Sequence, residues 1–136
     1  MAMPSRYREQ IASHCGGHLV ATIDTSAACL LLYPVQEWDE IQRKIESLSS
    51  FNAASRRIQR LLIGHATDLE LDGSGRILLP QALRDYAHLE KQVALIGQGK
   101  KLELWDQATW VEQRDEWLND ATPAGDLPDD LKSLSL

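Results

Sequence analysis

A chain of 136 residues, 43% of them apolar, can bury one ordinary core, and a second full domain fits only if two small parts share that core. A net charge of −6 argues against a simple basic nucleic-acid binder, so any anion-binding surface must be local. Cys15 and Cys29 are too few for a disulfide framework, no charged-then-apolar leader opens the chain, and the longest apolar stretch, Ala27 to Val35, is too short to cross a bilayer, so a cytoplasmic protein with no membrane partner is expected.

In chain order, "MPSRYR" (3 to 8) reads as a proline-started helical turn carrying Arg6 and Arg8. "LVATI" (19 to 23) and "CLLLY" (29 to 33) flank a five-residue loop, Asp24 to Ala28, and predict a hairpin. Val35, Trp38, Ile41, Ile45 and Leu48 then recur at three- and four-residue steps, the pattern of a helix with one buried face. A second helix is predicted from about Ala53 to Ile63, with Ile58, Leu61 and Leu62 inward and Gly64 as its stop. Its outer side bears Arg56, Arg57 and Arg60, which serve either as a solvated face or as phosphate contacts.

Leu69 and Leu71 alternate with Asp68 and Glu70, and Ile77 to Leu79 resume extended character. Between them Asp72-Gly73 and Ser74-Gly75 stand where a turn needs positive φ, with Arg76 at its base. "LPQALR" (79 to 84) is a second proline-started turn, ending on Arg84. "VALI" (93 to 96) and "LELW" (102 to 105) flank Gly97 to Lys101 as a second hairpin, and "WDQATW" (105 to 110) opens a last helix. The balance then turns acidic: from Gln113 onward six acids stand against Arg114 and Lys132, four of the six net negative charges.

The glycine-rich turn fails the tests for better-known loops. A P-loop needs glycines five apart followed by Lys and Ser/Thr, and a dinucleotide fingerprint needs a third glycine opening a helix. Asp68, Glu70, Asp72 and Gly73 match the first, third, fifth and sixth places of a calcium loop, but Leu79 stands where the bidentate carboxylate belongs. His14, Cys15 and His18 lie within five residues, yet nothing nearby completes four zinc ligands. No serine-elbow or zincin motif appears, so no enzyme activity, metal, cofactor or small-molecule substrate is expected.

The chain repeats itself. "YPVQEW" (33 to 38) matches "WDQATW" (105 to 110) at an offset of 72, and "MPSRYR" matches "LPQALR" at 76, with Pro4 over Pro80 and Arg8 over Arg84. Each copy is too short to close a core alone, so two pseudo-symmetric halves sharing one core are expected. The divisions are 1–38 for the first half, 39–65 for connecting helices, 66–109 for the second half, and 110–136 for a C-terminal helix and acidic tail.

"PSRYREQ", "CLLLYPVQEWDEI", "RRIQRLLIGHA", "DGSGRILLPQALR" and "LELWDQATW", in this order, resemble the MraZ family from Met1 to the terminal "LSL". The resemblance implies an α+β chain of two AbrB-like swapped-hairpin β-barrel halves with connecting helices. It implies a bacterial DNA-binding transcriptional regulator, acting at the promoter of the operon for cell division and cell-wall synthesis as a ring-like homo-oligomer on repeated double-stranded DNA sites. Its DNA-contacting element is a D-x-x-x-R loop, carried here by Asp72, Gly73, Ser74, Gly75 and Arg76; Arg6, Arg8 and Arg84 are weaker candidates. Projecting Asp72 back by 76 falls before Met1, so the first half is expected to lack its opening strand and loop. A protein-interaction scaffold built on the tryptophans, without DNA contact, is the alternative.

Overall fold

The computed structural model describes residues 1, 3–5, 7–9, 11 and 16–120. Arg6, His14, Cys15 and the acidic tail from residue 121 lie outside the described residues. Ser5, Tyr7 to Glu9 and Ile11 are helical, as the proline-started turn predicts.

Five strands follow in one antiparallel sheet: β1 (His18–Ile23), β2 (Leu30–Pro34), β3 (Thr67–Glu70), β4 (Val93–Gln98) and β5 (Lys101–Asp106), in the order β3-β1-β2-β5-β4. After that N-terminal segment, the helices among the described residues are α1 (Val35–Glu46), α2 (Ala53–Ile58), α3 (Gln81–Tyr86) and α4 (Gln107–Asn119), and α2 runs into a π-helical turn, Gln59–Ile63. The chain is therefore of the α+β class, with both predicted hairpins in place.

The repeat is written into the pairing. Where β2 meets β5, Leu31 lies opposite Glu103, its own counterpart 72 residues on, flanked by Leu30 with Leu104 and Leu32 with Leu102. Met1 and Ile77, separated by the other offset of 76, exchange two hydrogen bonds: the Met1 amino group donates to the Ile77 carbonyl at 2.9 Å, and the Ile77 N–H to the Met1 carbonyl at 2.8 Å. Residues at both repeat offsets thus stand opposite their own counterparts.

Two apolar clusters pack on the sheet. One gathers Leu19, Ala21, Ile23, Leu30, Leu32, Leu69 and Leu104 with Met3, Ile11, Ile77, Leu79, Leu83 and Ala87, drawing on both halves. The other, of Val20, Leu31, Tyr33, Trp38 and Ile45, belongs to the first half and sits under α1. A strand between two clusters is buried on both faces and reads as a nearly unbroken apolar run, as "LVATI" does. Its Thr22, fully buried, donates its hydroxyl to the Leu62 carbonyl of the π-helical turn at 2.6 Å, which satisfies a polar group that would otherwise cost about 1–3 kcal/mol.

Four local expectations change. α1 ends at Glu46 and the chain turns through Ser47, so Leu48 leaves the buried stripe and is 39% exposed. α2 buries no residue, and Ile58 is 40% exposed, while Leu61 and Leu62 in the wider π-helical turn face inward as expected. Gly64 stops that turn with φ −63° rather than in the left-handed region, and what favours glycine is the Arg60 carbonyl lying where a Cβ would stand. The second hairpin closes tightly, because β4 runs on to Gln98 and β5 starts at Lys101; Gly99, at φ 68°, supplies the bend.

Candidate nucleic-acid interface

The loop from Asp72 to Arg76 is built by its own hydrogen bonds. The Asp72 N–H donates to the Arg76 carbonyl at 2.9 Å and the Gly75 N–H to the Asp72 carbonyl at 3.0 Å, closing the turn. The Asp72 carboxylate faces inward along the bend and accepts the N–H of Ser74 at 2.8 Å and of Arg76 at 2.9 Å. Aspartate favours this place because a short side chain carrying an acceptor can cap its own turn. Those two backbone donors, Arg76 first and Ser74 second, hold the Asp72 carboxyl below the usual aspartate range.

The turn engages Arg76 through its main chain. Its backbone N–H, rather than its guanidinium, is what Asp72 holds at hydrogen-bond distance. Among the described residues Glu37 pairs with Lys100 and Arg114 with Asp115, and Asp72 and Arg76 form no such salt bridge. Arg76 is exposed, as are Asp72, Gly73 and Ser74.

The two glycines differ. Gly73 is absent from the positive-φ residues and has open space around it, so neither conformation nor crowding demands glycine there. Gly75 has φ 72°, is buried, and has the Arg8 guanidinium packed where a Cβ would project. Arg8 comes from the first half, and its Nη2 donates to the Met3 carbonyl at 3.1 Å while the Met3 N–H donates to the Gly75 carbonyl at 2.8 Å. The turn is thus braced by the other half of the chain. Arg84, the repeat counterpart of Arg8, lies instead in a cleft with Met1, Leu78, Leu89 and Val93. Sequence reasoning placed Arg8 among weak ligand candidates and missed its contact with Gly75, which joins residues 67 positions apart with no local signal. Arg56, Arg57 and Arg60 are exposed on α2 and the π-helical turn, apart from this loop in sequence.

Asp24, Cys29 and Glu103 bring one donor atom each within 4.8 Å of one another. These atoms serve the fold: Asp24 accepts the N–H and hydroxyl of Ser26 and the Cys29 thiol, and Glu103 accepts the Trp105 indole N–H at 3.1 Å. Burial first, then Asp24 and Glu103, push the Cys29 thiol far above its ordinary range, against the thiolate a soft metal requires. His18 is exposed, with Glu70 at 3.9 Å. No helix among the described residues is long and apolar enough to cross a membrane.

The family model for MraZ protein matches the chain twice, over residues 1–61 and 62–125. The chain is 56% identical to a protein of Coxiella burnetii (strain Dugway 5J108-111), 53% to one of Alkalilimnicola ehrlichii and 50% to one of Legionella pneumophila (strain Corby), each named transcriptional regulator MraZ. Each alignment covers 100% of this chain and 90% of the relative. Matched in both of its repeats and by relatives over its full length, the chain belongs to the MraZ family.

Proposed function

We propose that this protein is a DNA-binding transcriptional regulator, a repressor at the promoter of the operon for cell division and cell-wall synthesis. It acts in the cytoplasm at the nucleoid as a ring-like homo-oligomer on repeated DNA sites. The observation that carries the reading is the turn from Asp72 to Arg76, in which the carboxylate is committed to backbone N–H groups and the exposed arginine is left for a partner. An arginine on a capped turn presents a planar fork of donors suited to a phosphate or to the edge of a guanine, and the exposed Gly73 and Ser74 allow close approach to the backbone of DNA. Arg8 adds a second cation against Gly75; Arg6 and Arg84 are weaker contributors. The names of the relatives support transcriptional regulation. Opposed repeat partners at Leu31–Glu103 and Met1–Ile77 support two AbrB-like swapped-hairpin halves, 1–38 and 66–109, joined by 39–65 and followed by 110–136.

Fluorescence anisotropy with labelled promoter DNA at two salt concentrations tests the assignment. Arg76→Ala is expected to weaken binding at least tenfold and to flatten its salt dependence, with stability changed by less than about 1 kcal/mol. Unchanged affinity in a folded Arg76→Ala protein overturns it. The scaffold reading, which the exposed Phe51 and Trp117 favour, requires assembly with no DNA binding at either salt concentration.

A further inference from the structure

α4 is a surface helix without cover among the described residues. Its Trp110 and Trp117 pack with Trp105 as a triad, ring centroids 5.6, 6.1 and 6.2 Å apart, and Trp105 is buried on β5. Trp117 is nonetheless 54% exposed and Leu118 75%, and no residue of α4 is buried. Glu112, Glu116 and Trp117 line a shallow groove beside them.

The connecting segment carries a surface of opposite character. Phe51, 96% exposed, stands in the bend before α2, with Ile58 40% exposed behind it. Arg56, Arg57 and Arg60 are exposed on the same short segment, which contains no acid from Ala53 to Ile63. Large apolar groups rimmed by charge mark interaction surfaces rather than solvated helix faces.

We propose that the groove beside α4 of one subunit receives the Phe51 and arginine surface of α2 from a second copy of this chain. The proposal rests on the reading of the protein as a homo-oligomer and supplies the contact that builds it. Apolar anchors meet apolar anchors, the guanidinium groups approach Glu112 and Glu116, and an arginine over an indole face gains a cation–π contact. The chain's own acidic tail is the poorer occupant, because Asp126, Asp129 and Asp130 against Lys132 would lay like charge along α4. Since the two surfaces differ and lie on different segments of the chain, the contact is head-to-tail: every subunit keeps one free end of each kind until the ring closes.

Mixing of two blocked variants of the full chain tests this, with mass measured by light scattering and no DNA present. Phe51→Asp and Trp117→Asp, both at exposed positions, are each expected to reduce the assembly to single chains with unchanged far-ultraviolet circular dichroism. Each retains one sound surface, so their equimolar mixture is expected to form one-to-one dimers and stop there. A mixture that stays monomeric overturns the proposal, as does either variant keeping the wild-type mass. A wild-type protein that is itself a single chain sinks the homo-oligomer reading as well, which separates the two failures. Reversing charge at Arg57→Glu should loosen the assembly, and adding Glu116→Arg should restore it; no restoration counts against the charge pairing.

Discussion

The two copies of the repeat place an aromatic residue and a tryptophan five positions apart at the same point, and the outcomes differ. In the first copy Tyr33 and Trp38 are 6% and 4% exposed, and α1 also buries Ile45. In the second Trp105 is buried, but α4 above it buries nothing. The cause lies outside the motif: the π-helical turn supplies Leu62 and Ile63 to the cluster beneath α1, and no described element does the same for α4. The strands repeat the contrast, since β1 lies between β2 and β3 whereas β4 pairs with β5 alone. An identical sequence signal thus yields a core helix in one half and a surface helix in the other, and the difference lies in the coverage.

The largest expected effect breaks that contrast most directly. Trp38→Ala should cost about 3–5 kcal/mol in urea unfolding, because it empties a filled site. Trp110→Ala, half-buried in α4, should cost about 1–2 kcal/mol, in proportion to the smaller area it removes from water. Equal losses at the two positions would mean that α4 is covered as fully as α1.

A smaller effect separates two glycines of nearly equal backbone angle. Gly75 and Gly99 have φ of 72° and 68°, so alanine at either should cost about 1 kcal/mol of left-handed strain. Gly99 has open space around it, whereas Gly75 carries Arg8 from the other half. Gly75→Ala should therefore also displace Arg8 and weaken DNA binding several-fold, and Gly99→Ala should leave binding unchanged. Anisotropy titrations of the two variants compare them at matched stability.

The smallest effect is confined to the turn. The Asp72 carboxyl is depressed in the folded chain, so its caps are fully formed above the unfolded aspartate range and are released as pH falls through the lower, folded value. Amide chemical shifts of Ser74 and Arg76 should move together below the usual aspartate range and stay flat at neutral pH. Asp72→Ala should abolish that movement; its persistence would assign the titration to another group.

What could be read in advance follows the range of the interaction. The turn from Asp72 to Arg76 was legible because its chemistry is local, an aspartate capping N–H groups two and four residues on. The hairpins were legible from alternation and turn residues. Three features had no local trace. Gly75 needs to be glycine partly because of Arg8, and nothing around either residue announces the contact. Ile58 stays outside while Leu61 and Leu62 of the π-helical turn pack inward, although helical periodicity treats all three alike. Glu103 reaches Asp24 and Cys29 only because β2 and β5 are neighbours in the sheet.

The seam between β2 and β5 has a further consequence. Leu30, Leu32 and Leu104, each fully buried, lie along it, so neither half could be cut free without laying this strip open to water. Either copy on its own would need a second copy across the same strands and would depend on its abundance to stay folded. Fusion removes that dependence, because a tether holds the second half at an effective concentration on the order of millimolar. The halves are accordingly expected to melt as one cooperative unit, and damage to either should be felt by both.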